Sequence, residues 1–133
     1  MGNAPRRETS VRHYQELIVW QKAMDLVLLV YGATSGFPQK EVFGLTNQLR
    51  RAAVSIPSNI AEGQARHTTR EFIQFISHAE GSLAELDTQL TISLELGYCQ
   101  GPLAALAASI SERAEELRRM LNSLRRRLEG MDK

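Results

Sequence analysis

Apolar residues recur along this chain at steps of three and four, in four separate stretches. From Glu16 onward, Trp20, Ala23, Met24, Val27, Val30 and Tyr31 form a wide stripe at helical spacing. Leu26, Leu28 and Leu29 broaden it, so this first helix is apolar on more than one side, as a face covered in an oligomer would be. Ser35-Gly36-Phe37-Pro38 closes it, with Gly36 read as a left-handed cap and Pro38 as a bar to continuation. A second helix is predicted to start between Gln39 and Phe43 and to run to about Gly63. Thr68 with Glu71 three residues later makes a capping box, in which each side chain covers the other's free N–H. The third helix it opens carries Phe72, Ile76, Ala79, Leu83, Leu86 and Leu90 and stops at Leu96-Gly97-Tyr98. Gly101-Pro102 opens a fourth, with proline in the first turn where its missing N–H costs nothing. There Leu103, Ile110, Leu117 and Leu124 lie seven apart, as do Ala107, Ala114, Leu121 and Leu128, and both rows fall on one seam. No strand-like alternation competes with these patterns. They predict an all-α, antiparallel up-down-up-down four-helix bundle over residues 15–130, preceded by a mobile basic arm over 1–14.

The second helix holds the most unusual stretch. Leu49, Ala52 or Ala53, Ile56 and Ile60 keep one face apolar, yet Pro57 sits in the middle. Its ring crowds the carbonyl of Ala53 and it has no N–H to offer that carbonyl. Apolar positions stay in phase on both sides, so the reading is a helix kinked at Pro57 rather than broken, with Gly63 as its stop. Ser55, Ser58 and Asn59 are short and polar and can satisfy the freed backbone groups locally. Ala52, Ala53 and Ser55 are small, which lets a neighbouring helix approach. Ser55, Pro57, Ser58, Asn59 and Gly63 are therefore read as a structural motif.

Composition agrees with helices: alanine, leucine, arginine and glutamate are abundant, aromatics few, and 133 residues suffice for one sizeable core. The net charge of +1 excludes a wholesale polyanion binder, so the distribution of charge matters more than its total. From Glu71 to Leu96 there are five acids and no Lys or Arg. Basic residues gather in the arm (Arg6, Arg7, Arg12), around the central motif (Arg50, Arg51, Arg66, Arg70) and along the last helix. In that helix Arg118 and Arg125 repeat at seven, and so do Arg119 and Arg126. Clustered guanidinium groups pair bidentately with phosphates, which makes the four arginines around the central motif and these four of the last helix candidate nucleic-acid contacts. The competing reading has them solvated or paired with Glu112, Glu115, Glu116 and Glu129, or across subunits.

Catalytic chemistry is poorly supplied. His67 and His78 are eleven apart, about 16 Å along a helix, and His13 lies in the arm, so no metal site is expected. Ser55 and Ser58 have no neighbouring base, Glu62 stands at a helix end, and Gly63-Gln64-Ala65-Arg66 lacks the spacing and lysine of a phosphate loop. Neither an enzyme nor a cofactor is expected. Cys99 is alone, the first residues lack the apolar block of a secretory signal, and the longest apolar run is too short for a bilayer. A soluble cytoplasmic protein with no membrane partner follows.

Three segments carry a family resemblance. Glu16-Leu17-Ile18-Val19-Trp20-Gln21-Lys22-Ala23, the run from Leu45 through Gly63, and Gly81 to Leu90 with Leu96-Gly97-Tyr98 resemble the bacterial four-helix bundle proteins named after 23S ribosomal RNA intervening sequences. The similarity spans roughly residues 14 to 125. The resemblance implies a small bacterial cytoplasmic protein forming a ring of five bundles, a homopentamer. It also implies kinship with the accessory protein of diversity-generating retroelements, which has a basic surface and associates with nucleic acid and a reverse transcriptase. The near-neutral charge here departs from that relative. The expected function is a non-enzymatic oligomeric bundle that binds nucleic acid, RNA foremost, through its arginines. The alternative is a structural or adaptor oligomer that recruits a protein and touches no nucleic acid.

Overall fold

The computed structural model describes residues 14–132, which form four α-helices and two short 3-10 turns, with no strand among them. The helices are α1 (Ile18–Thr34), α2 (Leu45–Gln64), α3 (Thr69–Glu95) and α4 (Pro102–Met131). The arm expected over residues 1–14 lies outside the described residues except for Tyr14. That residue begins the 3-10 turn Tyr14–Glu16 and sets its ring edge-on to Trp20, with centroids 5.4 Å apart.

Each helix packs against two others: α2 against α1 and α3, α4 against α3 and α1. The ring of contacts closes around one core. Leu26, Leu49, Ile56, Ile60, Ile76, Leu86, Ile110, Leu117 and Leu121 are fully buried in it, each contributing about 1.5–3 kcal/mol by leaving water. Leu103 and Leu124, on the expected seam of α4, pack on the core from its margin. No described helix is long and apolar enough to cross a membrane.

Helix ends show where local chemistry was and was not enough. Thr68 caps α3 as expected, its hydroxyl oxygen accepting the Glu71 N–H at 3.1 Å. The Glu71 carboxylate, however, accepts from the Thr68 hydroxyl (3.0 Å) rather than from a backbone N–H. At the other end of α3, Gly97 takes φ +81°, and Tyr98 N–H reaches Ser93 O while Gly97 N–H reaches Leu94 O, both at 3.0 Å. This is the paired C-terminal bonding that a left-handed glycine permits.

Two glycine expectations are corrected. Gly36 does not adopt a left-handed φ; α1 instead tightens into i→i+3 bonds, Gly36 N–H to Ala33 O and Phe37 N–H to Thr34 O. A Cβ at Gly36 would lie 2.9 Å from the end of the Leu103 side chain, so a larger residue there would have to push that leucine aside. Nor does Gly63 stop α2, which runs one residue further with Gly63 at a negative φ. A Cβ there would stand 2.7 Å from Phe75 Cβ and 2.9 Å from Phe72 Cδ1. Gly63 is small because α3 crosses it. The start of α2 is also later than predicted: a 3-10 turn (Gln39–Glu41) comes first, and the Glu41 carboxylate then accepts the Leu45 N–H at 3.0 Å.

That same carboxylate joins two loops. Its second oxygen accepts the Tyr98 hydroxyl at 2.8 Å, and Tyr98 leans on Phe37 with ring centroids 5.7 Å apart. The Leu45 N–H first, and the Tyr98 hydroxyl second, hold the Glu41 pKa below its usual value, while the bond to Glu41 raises that of Tyr98. Next to this link, Cys99 is buried and burial pushes its thiol pKa up.

Candidate functional site

The central motif lies within one unbroken helix that includes Pro57. Ser58 donates to Val54 O at 2.8 Å and Asn59 Nδ2 to Ser55 O at 2.7 Å, so two carbonyls beside the proline gain side-chain donors. Ser55 plays a different part from the one expected: its hydroxyl donates to the Ser82 hydroxyl on α3 and ties the two helices together. Pro57 is buried, and Gly63 receives Phe72 and Phe75.

The arginines divide by what they touch. Arg50 points back at the end of α1, its Nε donating to Thr34 Oγ1 at 2.8 Å and its guanidinium lying 4.5 Å from the Tyr31 ring centroid. A cation there meets the negative end of the α1 dipole. Arg118 donates to Glu115 at 2.9 Å and Arg119 to the same carboxylate at 3.2 Å. Arg118, by its hydrogen bond, lowers the Glu115 pKa, and its own is raised in return. Arg125 is the most engaged: Nε to Glu80 on α3 at 2.7 Å, Nη2 to Asn122 at 2.7 Å and Nη1 to Glu129 at 3.1 Å. Glu80 is the main reason its pKa is raised.

Arg66 pairs with Glu62 at 3.2 Å and stacks 4.8 Å above the Phe75 ring. Arg70 only grazes Asp132, at 3.6 Å, and its side chain is 85% exposed. Arg51, Arg126 and Arg127 are exposed and make no ion pair among the described residues.

These eight candidate residues do not form one surface. Arg50 and Arg51 sit beside the last turn of α1. Arg66 lies sixteen residues further along the chain from Arg50, about 24 Å at helical rise. It stands just past α2, near the first turn of α3 with Arg70, and Arg70 reaches the last turn of α4 through Asp132. One end of the molecule therefore gathers Arg66, Arg70, Arg126 and Arg127. Contacts between distant elements such as Glu80–Arg125 and Glu41–Tyr98 had no signal in sequence, because residue spacing does not fix how helices and loops lie against one another. Among the described residues no group of three His, Cys, Asp or Glu side chains could hold a metal ion.

Comparison with known proteins adds a family and a fold. A family model described as 23S rRNA-intervening sequence protein matches residues 15–123. No curated protein matches the chain. Among solved structures, it is similar to a protein of unknown function from the S23 ribosomal protein family of Bacteroides thetaiotaomicron VPI-5482. The two share 20% sequence identity over 80% of this chain and 97% of that one, with a TM-score of 0.70. At that identity the likeness speaks for the fold alone.

Proposed function

Because this chain belongs to the 23S rRNA-intervening sequence protein family, we propose that it is a non-enzymatic, self-associating helical bundle. In this reading its arginine-bearing end holds the phosphate backbone of RNA. One observation carries it: among the described residues Arg126 and Arg127 lack carboxylate partners and Arg70 is nearly free, all at one end of the molecule. Arginines already neutralised by Glu80 or Glu115 would give up those pairs before taking a phosphate, so they contribute less.

The bundle of this proposal runs up-down-up-down, with α2 bent at Pro57. Lys22–Glu116 with Asp25–Arg113, and Arg70–Asp132 with Glu80–Arg125, pair rising numbers on one helix with falling numbers on the next, as antiparallel neighbours do. Five copies in the cytoplasm is the assembly that the family resemblance implies.

Titration of a structured RNA at increasing salt tests the reading. Affinity should fall steeply with log salt, and Arg126→Ala with Arg127→Ala should flatten the slope by about 1–2. No RNA retardation even at low salt overturns it. A second reading rests on its own observation: Phe43 is 93% exposed beside Val42, and the Glu41–Tyr98 bond brings that loop up to exposed Leu96. Such a surface suits an adaptor that recruits a protein and leaves nucleic acid alone.

A further inference from the structure

The ion pairs within the chain leave two unmatched sets. Between Arg70 and Arg113 the sequence has no Lys or Arg. The second half of α3 thus carries Glu85, Asp87 and Glu95 with no ion pair among the described residues. Glu85, Ile92 and Glu95 follow at steps of seven and three, so they share one outward ridge, and Ile92 is 44% exposed on it. Gly81, one turn before Glu85, would give a Cβ nothing to touch within 4 Å. A glycine in a helix interior costs stability, and no neighbour among the described residues requires this one.

The complementary set lies where α1 meets α2. Leu28 is 68% exposed and Tyr31 41% exposed, three residues apart on α1. Arg50 closes over the Tyr31 ring, and Val54 follows it by one turn of α2, itself 41% exposed. Arg51 stands next to them, exposed and with no ion pair among the described residues. One surface is apolar with cations, the other apolar with anions, and the chain as a whole is nearly neutral.

We propose that copies of this chain associate head to tail, the Leu28–Tyr31–Arg51–Val54 patch of one seated on the Glu85–Ile92–Glu95 ridge of the next. This rests on the self-association reading above and names its two surfaces. The match is between different faces, so the contact is heterologous, and repeating it closes a ring whenever the rotation between copies divides a full turn. Gly81 lets the neighbouring helix come close beside the ridge.

Charge reversal with mixing tests it on the full chain. Light scattering on the eluting protein should give a multiple of 14.9 kDa for the wild type. Arg51→Glu alone, and Glu85→Lys with Glu95→Lys in a second variant, should each fall toward the single-chain mass while keeping wild-type circular dichroism. Mixing the two variants should give species heavier than either alone, because the intact patch of one meets the intact ridge of the other and the two reversed faces also attract. Unchanged masses in both variants, or no recovery on mixing, overturn the assignment of faces. A wild type that elutes as a single chain would instead overturn self-association itself. Should either reversal unfold the chain, Leu28→Ser and Ile92→Ser probe the same two faces without changing charge, and each should lower the mass.

Discussion

Three glycines in this chain look alike in sequence and do different work. Gly97 supplies a left-handed φ of +81°, Gly63 leaves room for Phe72 and Phe75, and Gly81 leaves room for nothing among the described residues. A methyl group separates the last two. Gly63→Ala gains helix propensity worth about 1 kcal/mol, but it drives a Cβ to 2.7 Å from Phe75 Cβ. Overpacking of that kind costs about 1–3 kcal/mol. Thermal or urea unfolding of the dissociated chain should therefore show Gly63→Ala destabilised and Gly81→Ala stabilised by up to about 1 kcal/mol. If both shift the same way, α3 does not press on Gly63 as described. The sequence marked Gly63 as special and misjudged why, since a missing side chain signals a turn and a close crossing equally well. Only the neighbouring helix distinguishes them.

At the scale of the helix, what repeats locally was legible. The two seven-residue rows of α4, the Thr68 cap, Pro102 in a first turn and the stop at Gly97 all follow from side chains within one or two turns of each other. The continuity of α2 through Pro57 was legible for the same reason, because the apolar phase is kept across it. Arg50 was not, as its partners Thr34 and Tyr31 belong to another helix. Pro57→Ala would restore the N–H donor that the Ala53 carbonyl lacks, and a proline-to-alanine change inside a helix favours the helix by about 3 kcal/mol before packing is counted. The expected outcome is a straighter α2 and a changed oligomer mass or melting temperature, read by light scattering and circular dichroism. An unaltered mass and melting curve would show that the proline is tolerated rather than used.

Across the whole molecule, polar links between distant segments supplement the shared apolar core, and pH should reach one of them. The Glu41 pKa is lowered, so its contribution is present above the usual carboxylate value and is lost as pH falls through the lowered one. That of Tyr98 is raised above 10.0, so its contribution is full below pH 10.0 and disappears as pH rises through the raised value. The melting-temperature gap between wild type and Tyr98→Phe should be widest between those limits and should close in acid and in strong alkali. A gap that does not vary with pH would mean the hydroxyl contributes through packing and not through the Glu41 bond.

One small detail beside that bond equips the protein with its own gauge. Cys99 is the chain's single thiol, and it is buried, with burial holding it in the unreactive protonated form. A disulfide-exchange reagent can attack it only when the link between α3 and α4 lifts away. The pace of that modification therefore counts the breathing of one end of the fold, with no label introduced and no residue replaced.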